Sequence, residues 1–215
     1  SELSILQAWK EVHVFSERTQ RMIGMIHELF SEQDQTKFTQ LYSRIEKYEG
    51  ICDRMEYEIA RYLNQVADGR LSEQSKREVQ KMLRIVNELE SVGDANYNIS
   101  RYIRHKFDNK IKYSEEQYKN FEQMIYLVSQ AETYMVAALE HASITPDEFY
   151  SMTNMENEIN NFRDELKNQN ILAVTDKEYE YAVGVNYMDI VCELEKMADY
   201  IINVDETLYE HKHDK

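Results

Sequence analysis

One proline and five glycines in 215 residues leave this chain few places to interrupt a helix. Apolar residues recur at intervals of three and four along nearly the whole sequence, and no stretch alternates strictly, so the expected class is all-α. Start signals divide the chain. Ser31-Glu-Gln-Asp34, Ser114-Glu-Glu-Gln117 and Thr175-Asp-Lys-Glu178 have the form of capping boxes, in which a hydroxyl and an acid or amide satisfy the orphan amides of a first turn. Asp68-Gly69 reads as a helix stop with Ser72 capping the next start, and Thr145-Pro146 puts proline at a first helical position behind a hydroxyl cap. The expectation is six helices, over 3–30, 33–67, 73–110, 115–143, 146–168 and 176–210, with 211–215 a frayed tail. Helices this long need neighbours along their length, and short connections make those neighbours antiparallel.

The chain also repeats itself. Residues 83–98 lie on 188–203 without a gap, and seven of the sixteen positions are identical: Ile, Val, Glu, Leu, Glu, Asp and Asn. A weaker match sets the second helix, around Glu49-Gly-Ile-Cys-Asp53, against the fifth, around Glu156-Asn-Glu-Ile-Asn160. Two tandem three-helix bundles follow, 1–110 and 111–215, related by an internal repeat.

Charge narrows the function. The 25 Lys and Arg stand against 40 Asp and Glu, a net −15, which opposes nucleic acid and anionic lipid and suits a cation. No apolar run reaches the ~18 residues of a membrane span, and no signal peptide stands at the start. The first residue is serine, which reads as a tag scar or the cut end of something longer. Cys52 and Cys192 lie far apart in helical patterns and read as reduced thiols of a cytoplasmic protein.

A few of the acids stand out by position. At roughly 100° per residue, Glu195 and Asp199 fall inside the apolar stripe of the sixth helix, and Glu90 and Asp94 fall at the same angles on the third. Glu49, Asp53 and Glu56 flank the stripe of the second. An acid facing a helical core must be paired, neutralised or coordinated. If the second and third helices pack side by side, Glu49, Asp53, Glu90 and Asp94 converge, and an all-oxygen cluster suits hard or borderline divalent and trivalent metals. The competing reading places these acids at the bundle edge, reaching water or pairing with Arg84, Arg101 or Arg104.

The stretch Glu-Leu-Glu-Ser-Val-Gly-Asp-Ala-Asn-Tyr-Asn-Ile (88–99) resembles the signature of PhoU-type phosphate-uptake regulators, and Glu-Leu-Glu-Lys-Met-Ala-Asp-Tyr-Ile-Ile-Asn-Val (193–204) looks like its second copy. The resemblance implies two three-helix bundles, each holding an iron or zinc cluster on a pair of E-x-x-x-D motifs. Carried over, one cluster would use Glu49, Asp53, Glu90 and Asp94, the other Glu156, Glu195 and Asp199. The chain departs from that pattern at Asn160, where the family expects an acid, and at Arg163, opposite Glu56 in the repeat. A positive charge there opposes a cation and pairs with Glu195 or Asp199 instead. The first helix and the stretch around Leu71 are similar to the domain appended to bacterial sodium/phosphate cotransporters.

Other chemistries find little support. A ferritin-like di-iron site needs core Glu-x-x-His pairs, and the one such spacing, Glu210 to His213, is in the tail. No Gly-rich phosphate loop, nucleophile elbow or Cys-x-x-Cys occurs. The expected function is therefore a cytoplasmic regulatory module of phosphate uptake, acting by binding and not catalysis. Its partner would be the membrane portion of a phosphate transporter, with a homodimer as a further assembly. The alternatives are a metal-dependent hydrolase and a metal-free helical scaffold.

Overall fold

The computed structural model describes residues 2–210, so the tail expected to fray lies outside the described residues. Among these residues there are six α-helices and no strand: α1 (Glu2–Ser31), α2 (Gln35–Ala67), α3 (Glu73–Asp108), α4 (Glu115–His141), α5 (Pro146–Thr175) and α6 (Tyr181–Glu210). The all-α expectation holds. Ser72 caps α3, its hydroxyl accepting from Ser75 N at 3.1 Å. Full capping boxes form at Ser114/Gln117 and at Thr145/Glu148, the latter with Pro146 in the first turn.

Two of the expected start signals are used otherwise. Ser31 ends α1, because the buried Leu29 and Phe30 carry that helix through its last turn, and Asp34 caps α2 by accepting from Lys37 N at 2.9 Å. Thr175 is likewise the last residue of α5 and not the cap of α6. Leu166 and Ala173, two turns apart on one face, are buried and carry α5 seven residues beyond the expected end at 168, while the Thr175 hydroxyl donates back to Ile171 O at 2.8 Å.

The stop signals differ too. No described glycine is left-handed; Lys110, Ala142 and Lys177 take positive φ (54°, 51° and 58°) after α3, α4 and α5. Each closes a pair of bonds back into its helix, as in Lys177 N to Val174 O at 3.1 Å and Glu178 N to Ala173 O at 2.9 Å.

α2 packs on α1 and α3, and α5 packs on α4 and α6. Between these two sets α1 lies against α4 and α3 against α6, the latter the most extensive helix contact in the molecule. The buried side chains form one continuous apolar cluster, with Phe15, Met22, Ile26 and Leu29 of α1 and Leu194 and Val204 of α6 all fully enclosed. Polar links cross the seam between the sets: Asn203 Nδ2 donates to Glu88 at 3.3 Å, and Thr19 Oγ1 lies 2.8 Å from Glu132. No described helix is long and apolar enough to cross a membrane.

Candidate metal centre

α2 and α3 approach closely where the first acidic motif lies. A Cβ added to Gly93 would sit 3.3 Å from Cys52 Cβ, so these two small residues let the backbones come together. Cys52 is buried, with its thiol pushed up to about 12 by burial and then by the surrounding acids Asp53, Glu49, Asp94 and Glu90. Around this contact Glu49, Asp53 and Asp94 each offer a carboxylate oxygen, and the three lie within 4.8 Å of one another. Glu90, one turn before Asp94, stands outside that tightest group but shares hydrogen bonds with Asp94 and Asp53.

The electrostatics follow from crowding. Burial first, then Asp53 and Asp94, push Glu49 up to about 7. Burial first, then its bond to Asp94, push Glu90 up to about 8. The groups acting most strongly on both are other acids. Glu56 joins the same field, raised by burial and then by Asp53 and Asp94. It was not among the residues assigned from sequence, although its helical angle on α2 placed it on this face.

The repeat-related site lies between α5 and α6. Glu156, Glu195 and Asp199 bring an oxygen each within 4.8 Å of one another, and Glu195 is buried. Burial first, then the bond to Asp199, push Glu156 up to about 8, while the Asn160 amide donates to it at 3.0 Å and works against that rise. Arg163 Nη1 donates to Glu195 at 3.1 Å, the pairing expected of a positive charge at that position, and its Nε donates to Asp164 at 2.8 Å. Glu195 is still raised, by burial first and then by Asp199, with Arg163 lowering it.

The two clusters therefore differ in the chemistry of their donors. The first is an all-carboxylate set whose mutual repulsion a multivalent cation would relieve, and it fits such a cation. The second carries an amide and a guanidinium within its hydrogen bonds, so part of its negative charge is already matched.

Six helices that bring acidic motifs together twice, at positions related by an internal repeat, define the class: an all-helical protein with two acidic clusters. Residues 12–103 match the family model of the PhoU domain. The whole chain has the PhoU fold. It superposes on the crystal structure of PhoU from Pseudomonas aeruginosa with a TM-score of 0.89 at 12% identity, covering 100% of this chain and 99% of that one. The phosphate transport system regulatory protein PhoU from Streptococcus pneumoniae gives 0.84 at 17% identity, with 100% and 97% covered. A PhoU-like protein from Shewanella oneidensis gives 0.69 at 13%, with 97% and 100% covered. No curated protein sequence matches the chain.

Proposed function

We propose that this chain is a regulator of phosphate transport that works by binding, with metal held at the first acidic cluster. The observation that carries the metal reading is the convergence of Glu49, Asp53 and Asp94, with Glu90 and Glu56 beside them, where the groups acting most strongly on one another are acids. Glu49, Asp53, Glu90 and Asp94 would hold the ion, iron or zinc, which would supply positive charge that cross-links α2 to α3. The residues themselves orient that site: Gly93 and Cys52 set the helix separation, so the carboxylates of α2 and α3 face one another at close range. The second cluster is proposed as the weaker site, closed in part by the Arg163–Glu195 ion pair. The partner in this reading is the membrane portion of a phosphate transporter on the cytoplasmic side, as in a sodium/phosphate cotransporter, with a homodimer as a further assembly. The PhoU domain and the PhoU fold support it.

Zinc or iron(II) titration of the purified chain tests the site. Asp94→Ala should weaken binding at least about tenfold, and Asp199→Ala by less, since ligand-shell losses of this kind cost about 10–100-fold. Equal loss in both variants, or greater loss in Asp199→Ala, would show that the asymmetry is wrong. Turnover of a phosphatase substrate with zinc, iron or manganese would favour the hydrolase reading instead.

A further inference from the structure

Acids outnumber basic residues in this chain, yet the basic ones are not spread evenly. Residues 101–112, the last two turns of α3 and the turn after it, hold five of the 25 Lys and Arg: Arg101, Arg104, Lys106, Lys110 and Lys112. Asp108 is the one acid among them. The negative end of a helix dipole favours a basic residue in the last turn of any helix. That does not account for this run, because α1, α2, α5 and α6 carry none there, and Lys110 and Lys112 lie beyond the end of α3.

Three of these residues, Lys106, Lys110 and Lys112, line one cleft of about 480 Å³. It opens where the end of α1, the start of α2 and the end of α3 meet, with Tyr118 of α4 on its rim. Its base is apolar, with Phe30, Phe38 and Ile103 all buried. Lys106 is half-buried; its ammonium lies within 5.4 Å of the ring centroids of Phe30, Tyr113 and Tyr118 and donates to Tyr118 Oη at 3.4 Å. Lys110 and Lys112 are exposed at the mouth. No ion pair among the described residues holds any of the three. One acid, Glu32, shares the lining. Like charges gathered on a concave surface over an apolar base repel one another, and a bound anion relieves that repulsion. The acidic clusters show the same situation with the sign reversed.

We propose that this cleft binds a compact oligophosphate anion, whether the phosphate chain of a nucleoside di- or triphosphate or a free short polyphosphate. A lysine ammonium is a point charge with rotatable donors, which suits phosphoryl oxygens in any orientation. Three of them match the charge of a phosphate chain better than that of a single carboxylate or phosphate. The volume lies within the range of about 300–1,000 Å³ usual for small-molecule sites. Nucleic acid or an anionic membrane would extend past the lysines onto the rest of a chain whose net charge is −15, so the charge distribution favours a small anion. The inference stands on the cleft alone and does not depend on the metal reading.

The test is calorimetric titration of the purified full chain with tripolyphosphate, ATP and orthophosphate, in EDTA so that no metal at the acidic clusters bridges the anion. Tripolyphosphate should bind, and orthophosphate at least about tenfold more weakly. ATP matching tripolyphosphate upholds the proposal and assigns recognition to the phosphate chain alone. ATP binding at least about fivefold tighter also upholds it and assigns the site to a nucleotide, with its base against the aromatic rim. Lys110→Asn with Lys112→Gln removes two exposed charges, asparagine being tolerated at the φ of 54° that Lys110 holds. This double variant should weaken tripolyphosphate binding at least about tenfold, and the single exposed change Lys112→Glu should weaken it as far. Lys10→Gln with Lys167→Gln, exposed and outside the cleft, should leave affinity within about twofold. The proposal is overturned if neither tripolyphosphate nor ATP binds, or if orthophosphate binds as tightly as tripolyphosphate. It is equally overturned if the cleft variants bind like the parent chain, or if the control weakens binding as much as they do.

Discussion

Glu132 shows how far one side chain can be read from hydrogen-bond bookkeeping. It is fully buried, and its Oε1 lies 2.8 Å from Thr19 Oγ1 across the α1–α4 contact. The same Thr19 hydroxyl is also 2.8 Å from Ser16 O, and it has only one proton to give. A protonated Glu132 resolves this by donating to Thr19, which then donates to Ser16. Burial, partly offset by the Thr19 contact, pushes Glu132 up to about 7, in agreement. The linkage sign follows. In the unfolded chain this acid ionises near its ordinary value of about 4.3, while the folded chain keeps its proton until about 7. Its contribution to stability is complete below the lower value and is lost as pH rises through that window. Glu132→Gln keeps a donor to Thr19 without the ionisation. Denaturant melts should show the variant within about 1 kcal/mol of the parent at pH 4 and roughly 2–3 kcal/mol more stable at pH 8; a constant difference across pH would remove the protonation argument. Nothing in the pattern of residues singles out Glu132, because one acid on an amphipathic helix says nothing about which neighbour covers it. Glu90, Asp94, Glu195 and Asp199 were readable because a repeat placed them at the same helical angle twice.

At the scale of the element, helix starts were more visible in the sequence than helix ends. Ser72, Ser114 and Thr145 cap as their side-chain chemistry suggests, since a hydroxyl acts on amides two or three residues away. The ends at Lys110, Ala142 and Lys177 carry no glycine, so no residue type announces them, and each is closed by bonds from the positive-φ residue and its successor back into the helix. These residues hold a left-handed conformation that costs a residue with a Cβ about 1 kcal/mol. Ala142→Gly should therefore stabilise the chain by about 0.5–1 kcal/mol in thermal or denaturant unfolding, and a loss would show that the Ala142 methyl contributes packing that outweighs the strain. Gly184 is the opposite case. It lies in the first turn of α6, and a Cβ there would meet Val174 Cγ2 at 2.7 Å and Asn170 Oδ1 at 3.1 Å. Its carbonyl also accepts from Asn170 at 3.4 Å. Gly184→Ala should cost about 1–3 kcal/mol as the α5–α6 turn is pushed apart.

Across the whole molecule, the repeat accounts for the motif acids but not for how closely its two halves are joined. The identical positions Ile85/Ile190, Val86/Val191 and Leu89/Leu194 are all buried, and the shared Glu88 and Asn203 bond to each other across the α3–α6 seam. Lys106 adds a further tie. Its ammonium stands 5.1, 5.0 and 5.4 Å from the ring centroids of Phe30, Tyr113 and Tyr118, drawing the end of α1, the α3–α4 turn and the start of α4 around one charge. An apolar cluster continuous through this seam predicts that the two sets of helices unfold together. The chain carries its own reporter: Trp9, the one tryptophan, is buried in α1 with its indole N–H donating to Glu78 at 3.0 Å. Its fluorescence reports the first set alone, whereas far-ultraviolet circular dichroism reports all six helices. Leu194 sits fully buried in α6, in the other set. Leu194→Ala should destabilise the chain by about 2–5 kcal/mol, and the urea midpoints by fluorescence and by dichroism should move down together. If the Trp9 transition stays where it was while the dichroism splits into two steps, the halves fold independently and the α3–α6 seam is a docking contact between finished bundles.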